Sequence, residues 1–121
     1  MTVRGIRGAT TVEQDDAQEI LSSTEQLVLE MAETTGFEPE DIASVIVSTT
    51  VDLKAAFPAK SIRSIEGWAY VPVMCTHEID VPGSMRKCIR VMMNVNSEKK
   101  QHEIQHIYQN NAVQLRPDLQ K

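Results

Sequence analysis

Five cations stand out in a 121-residue chain whose formal net charge is −5: Arg7, Lys60, Arg63, Arg90 and Arg116. Arg90 lies in the middle of Lys87-Cys88-Ile89-Arg90-Val91-Met92-Met93-Asn94-Val95, a run that alternates with period two. Ile89, Val91, Met93 and Val95 share one face; Cys88, Arg90, Met92 and Asn94 share the other. A guanidinium among such neighbours costs several kcal/mol to desolvate unless it meets an anion. Either an acidic side chain beside it supplies that anion, or a ligand does. Arg7 sits between Gly5 and Gly8 in a second extended run, and Lys60 and Arg63, three apart, fall on one side of a short helix. Each has an ordinary reading as a solvated surface charge. A pocket that collected several of them would suit a small polyanion such as a dicarboxylate, because the guanidinium fork matches a carboxylate and grouped charge attracts one.

Two other constellations call for different chemistry. His102-Glu103-Ile104-Gln105-His106 matches H-E-x-x-H, which on a helix would turn both imidazoles to one side for zinc. No further His follows, and the flanking Glu98-Lys99-Lys100-Gln101 reads as an exposed turn, so two exposed histidines by coincidence are the better account. Cys75-x-His77-Glu78 lacks the paired spacing of a structural zinc site, and a Cys75 nucleophile would stand without an oxyanion-binding or glycine-rich element. Neither a P-loop nor G-x-G-x-x-G is present.

Stepping up from residues to the whole sequence, its length fits one domain, and 41% hydrophobic with 24% charged residues is an ordinary globular composition. The acidic balance gives no general basic face for nucleic acid. With no apolar run near 18 residues and no charged leader, neither a membrane span nor a secretory signal is expected. Cys75 and Cys88, without C-x-x-C spacing, read as reduced thiols of a cytoplasmic protein. With only five aromatic residues the core is aliphatic and modest, which makes oligomerisation plausible.

The elements that must position these groups follow in order. Val3 to Thr11 reads as a strand whose two glycines mark close backbone approach or a bulge. Thr11 or Asp15 opens a long helix with an apolar stripe of Ala17, Ile20, Leu21, Leu27, Val28 and Met31, ended by Gly36. A turn at Glu38 to Ile42 leads to a strand at Ser44 to Thr49. Phe57 to Ile65 gives one or two helical turns, Trp68 to Cys75 a strand pushed to an edge by Pro72, and Lys87 to Val95 an interior strand. A second helix is expected from Ser97 to about Asn110, and a last short strand at Ala112 to Leu115. The order β-α-β-β-β-α-β predicts an α+β or mixed α/β fold, one sheet with helices on one face.

Five blocks then take on a joint meaning: Arg4-Gly5-Ile6-Arg7-Gly8-Ala9-Thr10-Thr11-Val12-Glu13, Phe57-Pro58-Ala59-Lys60, Gly67-Trp68 with Tyr70-Val71-Pro72-Val73, Lys87 to Met93, and Leu115-Arg116-Pro117-Asp118-Leu119. In content and spacing they resemble the small monofunctional chorismate mutases of the trimeric type first described from bacilli, over nearly the whole chain. The resemblance implies a homotrimeric pseudo α/β-barrel with active sites between subunits, and conversion of chorismate to prephenate with neither cofactor nor metal. Residues 1–115 would form the domain and 116–121 a tail. Carried over by position, Arg90 would face the ether oxygen of the breaking bond. Arg7 and Tyr108 would hold a carboxylate, and Glu78 with the backbone around Cys75 would bind the ring hydroxyl. Val73, Met74, Thr76 and His77 would line that side. Phe57, Ala59, Lys60 and Arg63 would come from the adjacent subunit, and Leu115 and Arg116 would close the entrance. Met74 departs from the pattern, which has a small polar residue there. A non-catalytic trimer that binds dicarboxylates through the same cations is the alternative.

Overall fold

Alternation decides where the Arg90 run sits. Because both of its faces carry apolar residues, it gains most by being paired on both edges, and it occupies the middle of the sheet. The computed structural model describes residues 2–115. In chain order it contains β1 (Thr2–Thr11), α1 (Ala17–Thr35), β2 (Ile42–Thr49), α2 (Ala59–Arg63), β3 (Val73–His77), β4 (Cys88–Ser97) and β5 (Ile107–Tyr108). Single 3₁₀ turns lie at Pro39–Asp41, Gln101–Glu103 and Asn110–Gln114. The strands form one five-stranded sheet in the order β3-β2-β4-β1-β5. β4 pairs antiparallel with β1 and β2, while β5 joins β1 and β3 joins β2 in parallel.

One face of this sheet is the core. Ile89, Val91, Met93 and Val95 of β4, Val45 and Val47 of β2 and Ile6 of β1 are buried there against Ile20, Leu27, Val28 and Met31 of α1 and Ile62 of α2. The α1 stripe forms as its spacing predicts, with Thr24 also buried and donating its hydroxyl to the Ile20 carbonyl at 2.7 Å. Gly8 is where α1 comes closest: a Cβ built there would lie 2.4 Å from the Met31 sulfur. α1 starts slightly later than expected, at Ala17. Asp16 is its N-cap, accepting from the Glu19 amide at 3.0 Å, while Asp15 instead accepts from the Lys54 and Ala55 amides. Gly36, at φ 81°, ends it in the left-handed conformation.

Three expectations are corrected. The stretch from Ser97 to Asn110 is not a helix: it makes a single 3₁₀ turn at Gln101–Glu103 and then adds Ile107–Tyr108 to the edge of β1. Ile104, at the end of the 3₁₀ turn, and Ile107 are both buried, and pairing of Ile107–Tyr108 on the strand edge satisfies β1. Ala112 to Leu115 is not a strand, for Asn110–Gln114 winds as 3₁₀. The Trp68 to Cys75 strand begins only at Val73. Pro72 precedes it, Trp68 is buried, and Gly67 through Pro72 is a turn. The observed order is therefore β-α-β-α-β-β-β, with both helices on one face.

Candidate active site

Among the described residues no layer covers the second face of the sheet, and four of the residues flagged for chemistry collect there. Register puts Arg90 beside Ala9 of β1 and Ser48 of β2, two small residues that leave room for a guanidinium. Arg7, opposite Met92, points to the same face two residues along β1, and Tyr108 reaches it through its pairing with Ala9. Glu78 leaves the end of β3 with its amide donating to the Thr49 carbonyl at 2.8 Å. Arg7, Arg90, Glu78 and Tyr108 then line one cleft of about 220 Å³, floored by Ile46, Ser48 and Met92.

Within it, Arg90 Nη1 stands 3.4 Å from Glu78 Oε1, with the Arg90 side chain 42% exposed and Glu78 26%. Of the two anions open to Arg90, an acidic side chain or a ligand, the chain itself supplies the first, and the guanidinium is partly exposed rather than walled in by hydrocarbon. The carboxylate, however, is a long partner lying inside the cleft. Arg7 has no carboxylate within 4.0 Å among the described residues. The Tyr108 hydroxyl is buried and has no hydrogen-bond partner among the described residues, an uncommon state for a phenol and one that a ligand oxygen would relieve. Cys88, one step from Arg90 on the same strand face, is buried and its thiol is pushed up to about 11, chiefly by burial. The Arg90 charge opposes that rise, and Glu78 and Asp52 add to it.

A polar clamp holds the start of β4, and sequence reading missed it. Lys87 has φ 49°, and its amide donates to both carboxylate oxygens of Asp52 at 3.0 and 3.3 Å. The Thr50 hydroxyl donates to Asp52 and accepts from the Cys88 amide at 3.0 Å. Burial raises the Asp52 pKa, yet the hydrogen bonds from Thr50 and Lys87 and the nearby Arg86 charge outweigh it and leave the carboxyl below its ordinary value. Asn110 is the residue at which the expected second helix would end. At φ 54° its side-chain amide donates to the Thr10 hydroxyl at 3.0 Å and the Thr11 carbonyl at 3.3 Å, tying the segment after Tyr108 to the end of β1.

Several predicted site residues lie apart from this cleft in their own chain. Met74, 72% exposed, and Thr76 face the open side through pairing with Ile46 and Ser48. Val73, Cys75 and His77 alternate to the other side. Phe57, 76% exposed, lines a separate cavity of about 430 Å³ with Cys75, Thr76 and His77. Lys60 and Arg63 project from α2 into solvent, whereas Ala59 is buried in its own chain. Leu115 is half-buried at the last described position, and Arg116 lies outside the described residues. The H-E-x-x-H match does not form a helical pair. His102 is exposed on the 3₁₀ turn, while His106 is half-buried, with its Nδ1 accepting the Arg7 backbone N–H at 2.9 Å. His106 is thus no exposed coincidence.

Known proteins resemble this chain over nearly its whole length. Residues 3–119 match the family described as chorismate mutase type I. Chorismate mutase AroH of Bacillus subtilis (strain 168) is 51% identical over 119 residues, covering 98% of this chain and 94% of the relative. Chorismate mutase AroH of Thermus thermophilus is 44% identical over 119 residues, covering 98% and 97%. A solved chorismate mutase from Clostridium thermocellum superposes with TM-score 0.87 at 53% identity, over 89% of this chain and 96% of that one. The chain belongs to the type I chorismate mutase family. The alternative of a non-catalytic dicarboxylate-binding module finds no support among these relatives, each of which is named as an enzyme.

Proposed function

We propose that the chain rearranges chorismate to prephenate in aromatic amino-acid biosynthesis, at a site whose charged half is the cleft of Arg7, Glu78, Arg90 and Tyr108. The observation that carries this is the convergence, in one cleft, of two guanidinium side chains with a buried phenol that has no partner among the described residues. A Claisen rearrangement needs no nucleophile, base or redox centre. The protein has to hold the enolpyruvyl side chain over the ring and to stabilise the charge that separates as the ether bond lengthens. Arg90 takes the second task by facing the ether oxygen. Glu78, already 3.4 Å from it, keeps the guanidinium aimed and offers its other oxygen to the ring hydroxyl, with the backbone near Cys75 as a second partner. Arg7 and Tyr108 take a substrate carboxylate.

The remaining half of the site comes from a neighbouring subunit in a homotrimer. Two features support this. Val3, Ile46, Met74 and Met92 are exposed apolar groups on the uncovered sheet face, a surface of the kind that association buries. Phe57, Lys60 and Arg63 are exposed and away from the cleft of their own chain, where they are available to another. Ala59, buried at home, can contribute only its backbone. Leu115 and Arg116 would lie at the entrance. No metal or cofactor is required. Among the described residues no helix is long and apolar enough to cross a membrane, and two free thiols suit the reducing cytoplasm.

The direct test follows chorismate loss and prephenate appearance with the purified protein in the presence of EDTA. Turnover well above the uncatalysed rate is the expected result. Tight binding of chorismate without turnover would return the chain to the alternative of non-catalytic dicarboxylate binding.

A further inference from the structure

One histidine of the unused H-E-x-x-H match sits where it can govern a substrate-binding side chain. β5 is only two residues long and pairs with β1 at Gly8 and Ala9, after which the Gln109 amide donates to the Ala9 carbonyl at 2.9 Å. The next amide along that edge of β1 belongs to Arg7, and it is met by a ring rather than a backbone carbonyl: His106 Nδ1 accepts it at 2.9 Å. A side-chain acceptor here continues the ladder by one rung while letting the main chain turn away toward Gln101–Glu103. The same ring borders a second cleft, of about 280 Å³, together with Arg4, Arg7 and Met92, so Arg7 forms the ridge between that cleft and the one holding Arg90.

We propose that His106 is a positioning residue for Arg7: its Nδ1, kept as an acceptor with the ring proton on Nε2, pins the Arg7 backbone so that the guanidinium enters the Arg90 cleft at a fixed angle. This rests on the reading of Arg7 as a carboxylate-binding group. Nδ1 can accept only in the neutral tautomer protonated at Nε2, so the geometry assigns that tautomer. Arg4 and Arg7 are the charged groups lining the shared cleft, and Arg4 is itself tied, its Nε donating to the Lys99 carbonyl at 2.8 Å.

Steady-state kinetics with chorismate on five variants of the full chain tests the assignment. His106→Ala is expected to raise KM about fivefold or more with kcat changed far less, since what is lost is the aim of a binding group. His106→Asn, whose Oδ1 replaces Nδ1, should return to within about twofold of wild type, and His106→Gln, whose acceptor sits one bond too far, should not. In an Arg7→Ala background His106→Ala should add nothing further. Should His106→Ala fail to fold, the Asn and Gln pair carries the comparison. The assignment is overturned if Ala and Asn behave alike, if Asn and Gln behave alike, or if the Ala effect persists in full without the Arg7 side chain. If Arg7→Ala alone leaves KM unchanged, the reading of Arg7 falls and His106 with it. If Arg7→Ala is impaired but His106→Ala is not, only the present proposal fails.

Discussion

Arg90 and Glu78 show how a strand places charge at low cost. The guanidinium extends over Ala9 and Ser48, and its carboxylate partner is held by a backbone hydrogen bond at the end of β3 rather than by its own flexibility. At 3.4 Å the pair is too long to satisfy Arg90 fully, so donor capacity remains for a substrate oxygen. Arg90→Lys should therefore keep the fold, as judged by circular dichroism, and lose most of kcat, because a point charge on a shorter reach cannot serve Glu78 and an ether oxygen together. Retention of more than about a tenth of wild-type turnover would count against the electrostatic role. Asp52 is the matching case for stability. Its folded pKa is below the unfolded one, so its contribution is complete above the ordinary carboxylate range and is lost as pH falls through the folded value. Asp52→Asn should thus lower the melting temperature at neutral pH and flatten its decline between about pH 5 and pH 2, which a series of thermal melts would reveal.

At the scale of elements, the central strands were readable because period-two alternation states both faces at once. β4 was legible as an interior strand from Cys88 to Val95, and the same alternation separated Arg90 and Met92 from the residues that pack on α1. The apolar spacing of α1 and the signal at Gly36 were equally clear. What could not be read was the segment after Ser97. Its Lys, Gln and Glu residues favour helix locally, and the open edge of β1, which overrides that preference, is a property of the assembled sheet. The roles of His106, Asn110 and Asp52 share this origin, since each meets backbone groups more than 30 residues away in sequence. Gly8 tests the packing of α1 on β1. Gly8→Ala places a Cβ 2.4 Å from the end of the Met31 side chain, which must move. A loss of about 1–3 kcal/mol in urea unfolding is expected. An unchanged midpoint would mean that Met31 swings aside without cost.

For the whole molecule, the site residues divide into two groups that a single chain keeps apart. Arg7, Glu78, Arg90 and Tyr108 meet in one cleft, while Phe57, Lys60 and Arg63 project elsewhere. The resemblance in sequence supplied both groups, and the fold adds that one chain does not bring them together. If sites are shared in a trimer, an Arg90→Ala chain and a Lys60→Ala/Arg63→Ala chain, each nearly inactive alone, should recover activity when unfolded together and refolded. Random assembly of equal amounts leaves about a quarter of the sites with both halves intact, so roughly a quarter of wild-type turnover is the expected yield. No recovery, with trimers confirmed by sedimentation, would mean that each chain uses its own α2.

The two-sidedness of the sheet has a consequence for how this scaffold tolerates change. Residues buried against the helices and residues of the open face alternate along the same strands. Ile46, Met74 and Met92, all exposed, can therefore be rewritten as a library whose members vary in substrate preference or assembly while sharing one melting profile for the isolated chain. The opposite parity, Val45, Val47, Val91 and Met93, offers no such latitude. A strand here works like a page printed on both sides, and the text on one side can be revised without disturbing the other.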